Sequence, residues 1–361
     1  MSQKCYIIAE AGVNHNGDLL LARELVDRAA EAGADAVKFQ TFDATKLVSR
    51  NAPKASYQKQ TTDAIESQLD MLRKLELPRR WHHELRDRAK SRGIEFLSTA
   101  FDIGSLEFLE SLGMPFYKVP SGEITNGPLL WRFARQRKPL VVSTGMATLS
   151  DVEQALAVIA HAFNEDAEPR HADEVWHGWS RTEWRRSLQG RVKLLHCTSQ
   201  YPTSMHEVNL GVMDTLRHAF GLPVGYSDHT DGILIPLAAA ARGAILIEKH
   251  FTLDRTMLGP DHRASLEPKQ LALMIDEIRS IKLALGDGIK SPQDSEWGTR
   301  KAARQQVVVT RDIRAGDSFA RTDLATARSG GGMSPMALWG LVGATAGRDY
   351  HSGDTVEEIE R

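Results

Sequence analysis

Two histidines, His229 and His250, close two apolar runs, PVGYSDHT and AILIEKHF, with the Ala-rich stretch DGILIPLAAAARG between them. The pattern reads as strand, helix, strand, so both imidazoles fall at the same end of neighbouring parallel strands. In an α/β sheet that end is where ligands bind. Two imidazoles converging there, each beside a charged neighbour, make a candidate metal site with open coordination positions. A cation held in this way acts as a Lewis acid on a carbonyl oxygen or positions a water.

The other strand ends carry polar groups of the same kind. Glu10, Asn14 and His15 follow the first apolar run, Lys38 and Gln40 end the second, and Thr99 and Asp102 end the third. Lys118, Ser121 and Glu123 come next, then Ser143 and Thr144, then His196, Thr198, Ser199 and Tyr201. Ser227, Asp228, Glu248 and Lys249 precede the two histidines. Charges inside apolar strands are unfavourable to bury unless paired or functional. Lys38 and Lys118, with Ser121, Ser143, Ser199 and Ser227, suit a small, highly charged anion. Lysine supplies a point charge and the hydroxyls complete the hydrogen bonds. An anion site beside a cation predicts a metal-assisted reaction between a phosphorylated or carboxylated small molecule and a carbonyl compound. These residue types do not separate condensation from retro-aldol cleavage.

Eight strands are needed to present this set. CYIIAEAG, DAVKFQTF, IEFLSTAFD, PFYKVPSGE, PLVVSTGM and VKLLHCTSQYP precede the two strands described above. Apolar strands that do not alternate mark a parallel sheet covered on both sides. Strands and helices alternating over about 285 residues predict a (β/α)8 TIM barrel. A doubly wound open sheet is the alternative, but it gives no reason for polar residues at the end of every strand. Asp18 caps the first helix, LLLARELVDRAAEAG, and Gly33 ends it. Asp43 to Tyr57 reads as a loop, followed by helices in TDAIESQLDMLRKLEL and PRRWHHELRDRAKSRG. Ser150 is the expected cap of SDVEQALAVIAHAF.

Residues 164–190, with Trp176, Trp179 and Trp184, interrupt the pattern as an insertion on the non-catalytic side, and read as a packing or subunit surface. The predicted organisation is a barrel over 1–285, a polar linker over 286–300 and a small β-rich domain over 301–361. The net charge of -2 points to no nucleic-acid partner. No run reaches the roughly 18 apolar residues of a membrane span. The N-terminus does not read as a signal peptide. Cys5 and Cys197, far apart in apolar strands, read as reduced thiols of a cytoplasmic protein.

The motifs AEAGVNHNGD, AVKFQTF, APKASYQ, ESQLDMLRKLE, FLSTAFD, YKVPSGE, VVSTGMA, LLHCTSQYPT, GYSDHT, IEKHFT, GPDHRASLEP and RSGGGMSP follow one another in this order. The series resembles the sialic acid synthase family, which includes legionaminic and pseudaminic acid synthases, over nearly the whole chain apart from the insertion. The resemblance implies a (β/α)8 barrel followed by a small antifreeze-like (SAF) domain. It implies condensation of phosphoenolpyruvate with an N-acetylated amino-sugar, and a divalent cation, manganese before magnesium or cobalt. It makes His229 and His250 the metal ligands and Glu10 the acid/base. It makes Lys38, Thr99, Lys118, Ser121, Ser143, Ser199 and Ser227 the phosphoenolpyruvate site. Gln40, Tyr201 and Asp261 fall on the sugar side. Arg328 is expected to reach the acceptor of a partner subunit in a domain-swapped homodimer.

Three sites depart from the family pattern, the second at two residues: Ala100 stands where proline is frequent, RSGGG replaces RPGNG, and Ser199 stands where asparagine is common. They bear on the acceptor more than on the reaction. APKASYQ and GPDHRASLEP favour N-acetylmannosamine, giving N-acetylneuraminate. A 2,4-diacetamido-hexose giving legionaminic acid is the alternative, and a 6-phosphorylated acceptor a third. A metal-dependent aldolase would share the histidines but release no phosphate.

Overall fold

A computed structural model describes residues 4–50, 52–55, 58–59, 62–63 and 65–357. The chain divides into two compact units, Met1–Asp287 and Gly288–Arg361. In the first, eight strands form one sheet: β1 (Tyr6–Gly12), β2 (Ala36–Thr41), β3 (Glu95–Ala100), β4 (Tyr117–Val119), β5 (Leu140–Ser143), β6 (Val192–Cys197), β7 (Val224–Asp228) and β8 (Leu246–His250). Their order is β3-β2-β1-β8-β7-β6-β5-β4, with β1 hydrogen-bonded to both β2 and β8 and every pairing parallel. β3 and β4 lie against each other across the remaining seam. The architecture is a (β/α)8 TIM barrel.

The strands are parallel because helices return the chain between them, and apolar because both sheet faces are covered. β1, YIIAEAG, is buried from Ile7 onward. Asp18 caps the Leu19–Glu31 helix by accepting from the Leu20 and Leu21 amides. Leu25, Val26 and Ala29 face the sheet. Gly33, at φ +83°, turns the chain toward β2. Among the described residues no helix is long and apolar enough to cross a membrane.

Several local expectations are corrected. The strand expected through PFYKVPSGE pairs only to Val119, because Pro120 has no N–H for the ladder, and Ser121–Glu123 turn as a 3-10 helix. Thr148, not Ser150, caps the Leu149–Asn164 helix in a capping box with Asp151. Ser150 falls inside the helix, one residue past its first, and Glu153 accepts from Trp179 Nε1 at 2.9 Å. The stretch after Asp43 holds a helical turn, Ala44–Leu47, capped by Asp43; Ser56 and Tyr57 lie outside the described residues. The helix expected through TDAIESQLDMLRKLEL is confined to Gln68–Leu75, with Ser67 as its cap. The region read as a linker ends in a helix, Trp297–Ala303.

The insertion forms two short helices, Ala172–Trp179 and Thr182–Arg186, which pack back on the Leu149–Asn164 helix. Trp179 and Trp184 are buried, whereas Trp176 is 40% exposed. The second unit pairs β9 (Gln306–Val309) with β10 (Leu324–Ala327) in antiparallel fashion. Its own small core includes Val307, Ile313, Phe319, Leu341 and Tyr350.

Candidate active site

The inward phase of each strand places its terminal polar residues over the barrel axis. Glu10 on β1 is the register partner of both Lys38 on β2 and His250 on β8. The register slips between Glu10 and Gly12, a bulge with Gly12 at φ +53°. A Cβ on Gly12 would stand 3.3 Å from Glu10 Oε1, 3.4 Å from Gln40 Nε2 and 3.5 Å from His250 Cε1, so the backbone here closes on three candidate residues. A cavity of about 300 Å³ sits at this end of the barrel. Among the residues lining it are Glu10, Lys38, Gln40, Thr99, Lys118, Ser121, Ser199, Tyr201, Ser227, His229 and His250.

Its floor is a lattice of two lysines and two carboxylates. Lys38 Nζ lies 2.6 Å from Glu10 Oε2, 3.5 Å from Glu248 Oε2 and 3.1 Å from Thr99 Oγ1. Lys118 Nζ donates to Glu248 Oε1 at 2.9 Å, and Ser227 Oγ donates to the same oxygen at 3.0 Å. Gln40 Nε2 donates to Glu10 Oε1 at 3.3 Å. Glu248 was not among the residues predicted to form the site. Its signal was available in LIEKH, where alternation puts Glu248 in phase with His250 and Lys249 out of phase.

The two carboxylates are driven apart electrostatically. Burial raises the Glu10 carboxyl to about 7, with Lys38 opposing and Glu248 reinforcing the shift. Burial also disfavours the charge on Glu248, but Lys118 and Lys38 outweigh it and hold that carboxyl below its ordinary range. Two neighbouring acids tuned in opposite directions are suited to an acid/base role for one and a fixed charge for the other. Of the two, Glu10, raised toward neutrality, is the one suited to taking up or giving a proton.

Opposite this lattice is a cluster of small polar groups. Ser121 Oγ accepts from the Gly145 amide at 3.0 Å and points to Cys197 Sγ at 3.7 Å. A Cβ on Gly145 would stand 2.3 Å from Ser199 Oγ and 2.8 Å from Ser121 Oγ. Glycine is required for the two hydroxyls to approach the backbone there. Ser143, at the end of β5, is fully buried and its hydroxyl has no hydrogen-bond partner among the described residues, and it does not line the cavity. Both cysteines are free thiols.

The histidines stand side by side, with ring centroids 5.4 Å apart. Tyr201 packs against both, 4.1 Å from His229 and 5.7 Å from His250. His229 Nδ1 lies 2.7 Å from the Thr198 carbonyl oxygen, which can only accept, so Nδ1 carries a hydrogen and Nε2 is the nitrogen left for a ligand. Burial disfavours the His229 imidazolium, but Cys197, the Thr198 carbonyl and Asp228 together outweigh it and raise the pKa. His250 is held neutral, its pKa pushed well below the usual value by burial and by His229. Asp261 stands behind it, 3.8 Å from Nδ1, its carboxyl raised to about 6 by burial. The donor set fits a divalent first-row ion bound through two imidazole nitrogens. Among the described residues no cluster of three His, Cys, Asp or Glu side chains completes it. The remaining positions would fall to water and substrate oxygens.

Other strand-end residues have structural duties. Asp102 caps the Ile103–Glu110 helix, His196 Nε2 bonds the Val208 carbonyl, and Thr144 Oγ1 donates to the Leu195 carbonyl. Arg328 lies in the second unit, exposed, just beyond β10.

The profile described as the NeuB family matches residues 25–290. N,N'-diacetyllegionaminic acid synthase of Campylobacter jejuni is 46% identical over 356 residues, covering 99% of this chain and 100% of that protein. The protein of the same name from Legionella pneumophila is 44% identical, covering 99% of this chain and 96% of that protein. The crystal structure of N-acetylneuraminic acid synthetase from Leptospira borgpetersenii superposes with a TM-score of 0.69 at 33% identity, over 84% of this chain and 93% of that one. By sequence over its full length and by its barrel, this chain belongs to the NeuB family.

Proposed function

We propose that this protein condenses phosphoenolpyruvate with a 2,4-diacetamido-hexose, forming a legionaminic-type nine-carbon 2-keto acid and phosphate. The single observation that carries this acceptor is the full-length identity to two N,N'-diacetyllegionaminic acid synthases, 46% and 44%. The N-acetylneuraminic acid synthetase stands at 33%. The preference for N-acetylmannosamine drawn from APKASYQ and GPDHRASLEP gives way to this alternative.

In this reading Lys38, Lys118, Thr99, Ser121, Ser199 and Ser227 take the phosphate and carboxylate of phosphoenolpyruvate, whereas Ser143, expected in this set, is fully buried and does not line the cavity. A divalent cation on His229 and His250, manganese by preference, would supply Lewis-acid polarisation of the open-chain aldehyde oxygen. Gln40 and Tyr201 hold the sugar, and Asp261, expected beside them, stands behind His250. C3 of phosphoenolpyruvate forms the new bond to the aldehyde carbon, water adds at C2, and the C2–O bond breaks to release phosphate. Glu10 moves the proton that this sequence requires, and the lysines carry the charge that accumulates on the departing phosphate. The second unit serves as a lid on the barrel of a second copy, with Arg328 reaching the acceptor. Phosphate release with each candidate acceptor tests the assignment, and bridging-oxygen label found in phosphate would confirm C–O cleavage.

A further inference from the structure

Asp228 and Lys249 are wholly buried, and neither lines the cavity. They are direct register partners on β7 and β8. Ser227 and Glu248, one residue earlier on each strand, line the cavity, as do His229 and His250, one residue later. Alternation therefore turns Asp228 and Lys249 toward the helix layer, on the far side of the sheet from the site.

Lys249 Nζ lies 2.5 Å from Asp228 Oδ2 and donates to the Thr230 carbonyl at 2.5 Å. The Thr230 hydroxyl stands 3.0 Å from each Asp228 oxygen, and its amide donates to Oδ1 at 3.2 Å. Residues 228–230 thus wrap around one ammonium group, with His229 as the middle residue. That ammonium belongs to the residue before His250. One clamp holds both histidine-bearing segments, and the His229 carbonyl is fixed in addition by the Thr203 amide at 2.8 Å.

A fully buried ion pair is a weak device for stability alone, since apolar residues of similar volume often do as well. Its geometric effect is specific: it sets where two neighbouring strands end relative to each other. We infer that the Asp228–Lys249 pair is a positioning device, which fixes the spacing of His229 and His250 for a divalent cation. The inference rests on the reading of those histidines as metal ligands.

The test is Mn2+ binding to the full-length protein without substrates, followed by loss of the free-ion EPR signal. Breaking the pair by a single substitution would strand a buried charge, so the informative variant is the double Asp228→Asn, Lys249→Met. Its Mn2+ dissociation constant should rise about tenfold to a hundredfold, the range seen when groups supporting metal ligands are altered. The milder Thr230→Val, which keeps the ion pair, should raise it by a smaller factor and decides the matter if the double variant does not fold. Arg279→Met, which removes an ion pair to Asp35 remote from the site, should leave Mn2+ affinity unchanged. Equal affinity in parent and natively folded variants would overturn the inference, as would an equal loss in Arg279→Met. If the parent takes up no Mn2+, or His229→Ala binds it as tightly as the parent, the metal reading itself fails. That outcome is distinct from tight parental binding that is indifferent to the clamp.

Discussion

The Nδ1 of His229 lies 2.7 Å from the carbonyl oxygen of Thr198, and this hydrogen bond settles which imidazole nitrogen is left for a ligand. A cation bound there would depend on few protein donors and so should be removable. Chelation should abolish phosphate release and Mn2+ should restore it. His229→Ala or His250→Ala should weaken Mn2+ binding by about a hundredfold or more, beyond the effect of altering a supporting group. Full activity after rigorous demetallation would rule the role out.

Lys38 and Lys118 are assigned to the anion, although each is paired with a carboxylate before it arrives. A charge-assisted hydrogen bond contributes about 1.5–3 kcal/mol, so Lys118→Met should raise the KM for phosphoenolpyruvate about tenfold to a hundredfold. The KM for the sugar should change little. Steady-state kinetics varying each substrate in turn would show this, and equal effects on both would mark Lys118 as structural.

Gly145 is predicted to be intolerant of a side chain. The Ser121 and Ser199 hydroxyls occupy the space that a Cβ there would take. Gly145→Ala should displace them and weaken phosphoenolpyruvate binding while the barrel stays folded. Calorimetric titration with phosphoenolpyruvate, beside a thermal melt, separates the two effects; unchanged affinity would remove these serines from the anion site.

Gly178 carries a corresponding prediction about stability. A Cβ there would stand 1.8 Å from the buried Trp184 ring. Overpacking of this kind costs about 1–3 kcal/mol, so Gly178→Ala should lower the denaturation midpoint with little effect on kinetics. An unchanged midpoint would show that the insertion packs loosely.

Arg328 supplies a test of subunit cooperation. Mixing inactive Arg328→Ala with inactive His229→Ala, under conditions that exchange subunits, should restore activity toward about a quarter of wild type if lids act across a dimer. Demonstrated exchange without recovery would assign each lid to its own barrel.

Much of the barrel was legible because apolar runs such as YIIA and LVV have few other uses. The polar ends of those runs marked the cavity walls for the same reason. What the pattern blurred were choices between equivalent local frames. Ser150 was the expected cap, but the helix begins at Leu149 and Thr148 caps it in a capping box with Asp151. Glu248 and Lys249 are adjacent charges in one strand, and their opposite roles depend on strand phase. Ser121, Ser199 and Cys197 converge on Gly145 from segments separated in sequence, so no local pattern encodes it. Arg328 lies in a separate unit, and its role comes from family resemblance alone.

The most direct measurement is phosphate release from phosphoenolpyruvate with saturating Mn2+, comparing kcat/KM for a 2,4-diacetamido-hexose and for N-acetylmannosamine. A site that hydrogen-bonds the second acetamido group discriminates strongly against an acceptor lacking it. The diacetamido sugar should therefore be favoured by at least about tenfold, with the released phosphate matching the keto acid formed. Equal or better use of N-acetylmannosamine would contradict the assigned acceptor, and keto acid formed without phosphate release would contradict the reaction itself.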